Sequence, residues 1–375
     1  MLTSGDCQVI LRSEGTQVKY WNTNLKNLSP YIPGEQPKNT DQIIKLNTNE
    51  NPYPPSPSVV SYLSGLNADN IGLYPDPAWT KLRSVIGERY GLNNEQIFCG
   101  NGSDEILSLI FRSFLSPEDE ILIPYPNYTL YETLAQSYGI GYHYIQSDDD
   151  LIISMDSLFQ KDSKAVFFSN PNAPTGCYYD LDKILAFCKE YNGLFILDEA
   201  YIDFSEKGSG ITKSGLQLLK HLDNLIVLRT FSKSFALAGI RAGYAFASPS
   251  LIEGMMRMKD SYNLSLLSQE IAYKAFQDYS YMETNAQKIM SNREFLKGEL
   301  QKRGFHSTDS KSNFLFVSHP KYHAKTLFQR LKGQGILVRY FDQPRLTEYL
   351  RITIGHKDQL DTLLSILTDK ILVGD

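Results

Sequence analysis

Apolar positions recur along this chain with two different spacings. Between about residues 59 and 249, stretches with an apolar residue every three or four positions alternate with short apolar runs. The wider spacing predicts amphipathic helices over 79–90, 104–114 and 130–138. The runs are EILIP, YHYIQ, KAVFFSN, GLFILDEA, NLIVLRT and AGYAFAS. They are rich in β-branched and aromatic residues and do not alternate strictly, as strands buried on both faces read. Strand–helix alternation predicts an α/β fold whose mostly parallel sheet is covered by helices.

After residue 249 the pattern is long and helical, over 249–259, 264–279 and 281–303. SNFLFVS, GILVRY and LRITIG then read as strands, with helices over 322–332 and 357–370, which predicts a smaller α+β unit. Residues 1–40 are polar and irregular, and LSPYIPGEQPKN punctuates them with proline and glycine. KLNTNE reads as a short strand, and the four prolines of NPYPPSPS bar regular structure there. The expected organisation is an arm over 1–40, a large domain over 61–270, and a small domain from 41–60 and 271–375.

Composition narrows the function classes. At 375 residues the chain exceeds what one core usually supports, so a cleft between two domains is expected. A net charge of −5 without a dense Lys/Arg block argues against a nucleic-acid partner. No apolar run reaches the roughly 18 residues of a membrane span. The opening MLTSGDCQVILRSEGTQ lacks a signal-type apolar core, so a cytoplasmic location is expected. Cys7, Cys99, Cys177 and Cys188 form no CxxC pair and read as inert thiols. The six histidines include no HExxH, so no catalytic metal is expected.

Five segments carry candidate chemistry. In RTFSKSFALAGIR, Lys233 sits among Thr230, Ser232 and Ser234, with Arg241 eight positions on. A lysine among apolar neighbours and near another cation presents its free amine more readily, which favours Schiff-base chemistry. The hydroxyls and Arg241 suit a phosphate. A solvated loop lysine is the blander reading, but it leaves the surrounding set unexplained. Asp198 follows GLFIL directly, with Tyr201 three on. At the carboxyl end of a strand they can meet a ring nitrogen and a ring hydroxyl, although an Asp there also serves as a helix cap.

GNGSDE (100–105) opens a helix with small residues, as anion sites do, or is simply capped. SNPNAPTG (169–176) forces a fixed turn at the sheet edge, and its asparagines offer amides to a ring substituent. Arg339 and Arg351 lead or sit in apolar strands, where each either faces an anionic substrate or pairs with an acid.

Together these segments resemble the fold-type I aminotransferases that use pyridoxal 5′-phosphate, in the class-II group, and within them the histidinol-phosphate aminotransferase family. The resemblance spans nearly the whole chain: LSPYIPG, LNTNENPYPPSP, LYPDP, GSDE, PNAPTG, DEAYIDF, TFSKSFALAGIRAGY, VRYFDQPR and LRITIG. It implies a seven-stranded sheet in the large domain and pyridoxal 5′-phosphate as cofactor. Lys233 is then the Schiff-base lysine and proton shuttle, Asp198 the partner of the pyridine nitrogen, and Tyr201 a donor to the ring's phenolic oxygen. Tyr128 stacks on the ring. Ser103, Asp104, Thr230, Ser232 and Arg241 form the phosphate cup. Tyr74 reaches the cofactor phosphate of a neighbouring subunit, which implies a homodimer with shared sites. Arg351 grips a substrate carboxylate, and Arg339 and Tyr31 recognise a substrate phosphate.

Two positions depart from the pattern. Many relatives have asparagine before PTG, where this chain has Ala173; Asn172 or Asn170 substitutes, or Tyr201 acts without that helper. After LRITIG many have threonine, and this chain has His356.

The implied reaction transfers the amino group of L-histidinol phosphate to 2-oxoglutarate, giving imidazole-acetol phosphate and glutamate, a step of histidine biosynthesis. An aromatic-amino-acid aminotransferase is the nearest rival. A threonine-phosphate decarboxylase-like lyase and a non-enzymatic sensor module follow. The 24 tyrosines are no signal as a group; Tyr31, Tyr74, Tyr128 and Tyr201 matter by position.

Overall fold

The computed structural model describes residues 19–26, 28–37, 43–208 and 211–372. The first 18 residues of the expected arm, Cys7 included, lie outside the described residues.

A two-residue strand β1 (Ile44–Lys45) precedes the main sheet. That sheet contains β2 (Ile97–Gly100), β3 (Glu120–Tyr125), β4 (Gly141–Gln146), β5 (Ala165–Ser169), β6 (Leu194–Asp198), β7 (Leu225–Thr230) and β8 (Gly243–Phe246). Its order is β2-β8-β7-β6-β5-β3-β4. The pairs from β4 through β3, β5 and β6 to β7 are parallel, and β8 runs antiparallel to both neighbours. All six runs named from the sequence are strands of this sheet. The seventh, β2, is only four residues long and gains its identity from pairing with β8. Every residue of β2, β5, β7 and β8 is buried, which explains their lack of alternation.

The flanking helices are α1 (Pro57–Ser64), α2 (Thr80–Tyr90), α3 (Gly102–Phe114), α4 (Leu130–Tyr138), α5 (Leu181–Glu190), α6 (Pro249–Met258) and α7 (Leu266–Gln277). The proline-rich stretch is irregular only as far as Ser56. Pro57 then opens α1, because a proline at the first helical position lacks only an N–H the helix would leave unpaired. α7 passes through residue 270, packed against α1 and α2.

The long α8 (Tyr279–Lys302) leads into a second sheet of β9 (His306–Ser307), β10 (Phe314–Ser318), β12 (Arg339–Tyr340) and β13 (Tyr349–Thr353), ordered β12-β13-β10-β9. GILVRY is not one strand. Its first half, β11 (Ile336–Leu337), pairs with β1, and its second half, β12, pairs with β13. α9 (Ala324–Gly333) and α10 (Lys357–Ile366) cover this unit. One continuous cluster of buried apolar side chains runs from Leu46 to Ile371, so the two units share a core.

Inside that core lies a cluster of charge. Arg229, at the end of β7, contacts Glu199 (3.1 Å) and Asp203 (3.4 Å), and all three are buried. Glu199 also accepts from Ser214 Oγ (2.7 Å) and the Gly215 N–H (2.6 Å), and Tyr90 Oη accepts from Arg229 Nη1 (3.0 Å). Asp203 accepts from Ser234 Oγ at 2.5 Å, next to Lys233. Removing one partner of a buried pair strands a charge, which costs about 3–5 kcal/mol. Arg229→Ala should therefore lower the urea-unfolding free energy by about that amount. A loss below about 1 kcal/mol, the scale of an exposed ion pair, would contradict this account of the cluster.

Candidate active site

A cavity of about 610 Å³ opens where the carboxyl ends of β5, β6 and β7 face the second sheet, under arm residues 29–34. Parallel pairing brings Ser169 level with Asp198, and Thr230 ends the next strand. In open parallel sheets this edge is where ligands bind.

Asp198 is buried, and burial pushes its carboxyl up to about 6. Two hydrogen bonds oppose that shift: Tyr131 Oη donates to Oδ2 (2.8 Å) and the Ala200 N–H to Oδ1 (3.1 Å). Asp104 raises the value further, and Lys233 lowers it. Lys233 Nζ reaches Thr48 O at 3.4 Å and lies 5.8 Å from the Tyr201 ring centre. Asn51 Nδ2 donates to the carbonyls of Lys233 (3.0 Å) and Ser234 (2.9 Å), so the lysine is gripped through its backbone. Asn49 Nδ2 donates to Tyr201 Oη (2.9 Å). Asn49 adopts a left-handed conformation (φ 56°) and is bonded to Thr353 and Asn313 of the second sheet region.

The start of α3 faces Arg241. Gly102 has φ 82°, and a Cβ there would come within 2.7 Å of Arg241 Nη2. A Cβ on Gly243 would meet the Ser103 N–H at 2.6 Å. Arg241 donates to Asp104 Oδ2 (3.0 Å), Ala238 O (3.2 Å) and Ser232 Oγ (3.4 Å), and Thr230 Oγ1 donates to Ser232 Oγ (3.0 Å). Helix-start N–H groups, two hydroxyls and a guanidinium thus converge, as an anion requires. The Asp104 carboxylate holds Arg241. It also accepts from Tyr128 Oη (3.2 Å).

At the other end, β12 and β13 place Arg339 and Arg351 directly opposite each other. Among the described residues neither has a carboxylate within ion-pair distance. Arg351 Nε is buried without a hydrogen-bond partner, and burial pulls its guanidinium down. Arg339 donates to the backbone carbonyls of Ile32 (3.0 Å) and Pro33 (3.3 Å). Tyr31 lies edge-on to Tyr128, 5.6 Å between ring centres. Like charges facing across a strand pair destabilise a sheet, so this arrangement favours an incoming anion.

The structure thus brings twelve of the sequence-derived residues to one cavity: Tyr31, Ser103, Asp104, Tyr128, Asp198, Tyr201, Thr230, Ser232, Lys233, Arg241, Arg339 and Arg351. Two are placed elsewhere. Asn172 is buried in its turn, donating to Pro126 O (3.1 Å) and Ser169 Oγ (3.3 Å) and accepting from Thr175 Oγ1 (2.8 Å). Asn170 is likewise engaged with Tyr179, while Ala173 and Ser169 face the cavity. Tyr74 is 81% exposed and stacks on Tyr262, 4.4 Å between centres. His356 precedes α10 and packs edge-on to Tyr53. Sequence reading missed Asn49, Asn51 and Tyr131; only the placement of Asn49 and Asn51 within the motif LNTNENPYPPSP hinted at them.

A buried acid, a lysine amine, an aligned phenol and an anion cradle define a site for a phosphorylated heteroaromatic aldehyde, and they fit pyridoxal 5′-phosphate. The chain belongs to the aminotransferase class I and II family, whose model matches residues 41–367. It is 40% identical to the histidinol-phosphate aminotransferase of Chromohalobacter salexigens, over 93% of this chain and 98% of that protein. It is 43% identical to histidinol-phosphate aminotransferase 1 of Oceanobacillus iheyensis, covering 92% and 96%. In fold it matches the histidinol-phosphate aminotransferase of Sinorhizobium meliloti, a structure in complex with pyridoxal-5′-phosphate. That match has a TM-score of 0.86 at 23% identity, covering 95% and 98%.

Because burial raises the Asp198 carboxyl to about 6, the fold binds this proton more tightly than the unfolded chain does. The associated stability is complete below about pH 4 and is lost as pH rises through 6, on the order of 2–3 kcal/mol. In the cofactor-free protein, Asp198→Asn should gain on the unaltered chain by that amount between about pH 4 and pH 7.5, read by denaturant unfolding. A stability difference that does not change with pH would contradict the assignment.

Proposed function

We propose that the chain transfers the amino group of L-histidinol phosphate to 2-oxoglutarate, yielding imidazole-acetol phosphate and glutamate in histidine biosynthesis. One observation carries the substrate side of this reading: two arginines, in register and without acidic partners among the described residues, face the cavity that holds Lys233. Histidinol phosphate brings a phosphate to them, and 2-oxoglutarate brings carboxylates. The same guanidinium forks accept both. The named relatives, both at 40% identity or more, support the choice of substrate.

Pyridoxal 5′-phosphate, when bound, supplies an aldehyde and a ring that withdraws electrons from the substrate Cα. The chain's own residues do the rest. Ser103, Thr230, Ser232 and Arg241 hold the cofactor phosphate, with Asp104 orienting Arg241. Asp198, oriented by Tyr131, faces the ring nitrogen and keeps its proton in place. Tyr201, aligned by Asn49, donates to the ring's phenolic oxygen without the asparagine many relatives have at the Ala173 position. Tyr128 packs on the ring. With the cofactor bound, Lys233 Nζ would take the proton from the substrate Cα and act as the proton shuttle. Arg351 holds a carboxylate, and Arg339 with Tyr31 holds the substrate phosphate.

The homodimer belongs to the same proposal. Tyr74 lies outside its own chain's cavity, and its exposure with Leu73 and Ile71 suits a contact with a second copy, where it reaches that copy's cofactor phosphate. Among the described residues no helix is long and apolar enough to cross a membrane. We place the enzyme in the cytoplasm as part of this reading, alongside its keto-acid substrate.

The test is glutamate formation from 2-oxoglutarate with histidinol phosphate, against phenylalanine and tyrosine as rival donors. Histidinol phosphate should give the highest kcat/KM. Arg339→Ala should reduce that value about 10- to 100-fold, with a much smaller effect on the glutamate half-reaction. Equal losses for both would remove Arg339 from phosphate recognition. Faster turnover of an aromatic amino acid would favour the aromatic aminotransferase, and carbon dioxide release from a phosphorylated amino acid would favour the lyase.

A further inference from the structure

The mechanism above uses every charged group on the cavity wall except two acids. Four carboxylates line the cavity: Asp104, Glu132, Asp198 and Asp342. Asp104 pairs with Arg241 and Asp198 is held by Tyr131. Asp342 lies 3.5 Å from Lys325 and is largely exposed. Glu132 is different. It stands in the first turn of α4, half-buried, with no lysine, arginine or histidine within ion-pair distance among the described residues. Burial pushes its carboxyl up, and side-chain hydrogen bonds with the neutral Tyr144 and Asn127 work against that shift.

The surroundings of Glu132 are also incomplete. Asn127 lines the same wall and is buried, and neither of its amide atoms makes a hydrogen bond of normal geometry. The next polar side chains along α4 are already engaged. Thr133 Oγ1 donates to Ser29 O and Thr129 O, and Gln136 accepts from the Ser29 N–H and donates to Tyr142 Oη. Among the described residues the wall therefore offers a carboxylate without a cation partner, Glu132, whose oxygens can accept more than the bonds from neutral Tyr144 and Asn127. The aromatic rings of Tyr31 and Tyr128 border the same space.

We propose that Glu132 is a specificity-determining residue that accepts a hydrogen bond from the ring N–H of the substrate's side chain. This rests on the function proposed above, and it names the feature that separates histidinol phosphate from its nearest rivals. An imidazole carries an N–H donor and a second nitrogen that an amide such as Asn127 can serve. A phenyl ring carries neither. Placing one against this wall would desolvate a carboxylate that has no cation partner without giving it a new donor, a penalty by which a polar site rejects a near-isostere.

The experiment compares two substrates that share the amine and the phosphate and differ only in the ring: L-histidinol phosphate and L-phenylalaninol phosphate. Steady-state kcat/KM is measured for both with the cofactor-loaded enzyme, as the unaltered chain, Glu132→Gln and Glu132→Ala. Glu132→Ala should lower the histidinol phosphate to phenylalaninol phosphate ratio about 10- to 100-fold, with phenylalaninol phosphate unchanged or improved. Glu132→Gln, whose amide oxygen still accepts and whose shape is kept, should fall between the two. An unchanged ratio, or equal losses for both substrates in both variants, overturns the role of Glu132 while leaving the proposed reaction standing. Failure of the unaltered enzyme to use histidinol phosphate at all would overturn both.

Discussion

Arg229, Glu199 and Asp203 are removed from water together, and the site is arranged around that fact. A buried guanidinium is tolerated only when carboxylates and hydrogen-bond partners surround it. Here the partners come from the segment after β6, the end of β7, the Ser214–Gly215 turn and Tyr90 of α2. The cluster joins two neighbouring strand ends and, through Ser234, fixes the peptide beside Lys233. Asn51 clamps the same peptide from the other side. Asp198 ends β6 and Lys233 follows β7 by three residues, so the cluster and the Asn51 clamp tie both to the same pair of strands.

The cavity built on this scaffold has charge of opposite purpose at its two ends. Near the sheet, Arg241 is balanced by Asp104, and glycines at 102 and 243 let Arg241 and β8 approach the helix start closely. Near the second sheet, Arg339 and Arg351 face each other with no acid within ion-pair distance among the described residues. The first arrangement suits a resident group. The second is destabilised until an anion arrives, which suits a substrate that must come and go. Arg339 meanwhile donates to arm carbonyls, so the arm's position is linked to the state of that guanidinium.

Much of this was legible in the sequence because it is written in local patterns. Six of the seven strands of the large sheet stand out as buried runs, and Lys233, Asp198, Tyr201 and Arg241 each sit in a dense motif at or just after a strand end. What was missed is what only packing creates. Tyr131 reads as one more apolar position of α4, yet its hydroxyl meets Asp198 from a distant segment. Asn49 lies in a quoted motif, but its contact with Tyr201 depends on the second sheet holding it in a left-handed turn. Asn172 was chosen by proximity to the missing asparagine, and the turn that holds it uses up its amide. GILVRY reads as one strand because β pairing partners are invisible to periodicity, and the chain divides it between two sheets.

The proposed function needs two separate anion positions in one cavity, one for a cofactor and one for a substrate. A crystal structure with pyridoxal 5′-phosphate and histidinol phosphate bound together measures this directly. The account requires one phosphate against Ser103, Ser232 and Arg241 and a second against Arg339 and Tyr31. A substrate phosphate lodged away from Arg339, or a single anion position for which the two molecules compete, would contradict it.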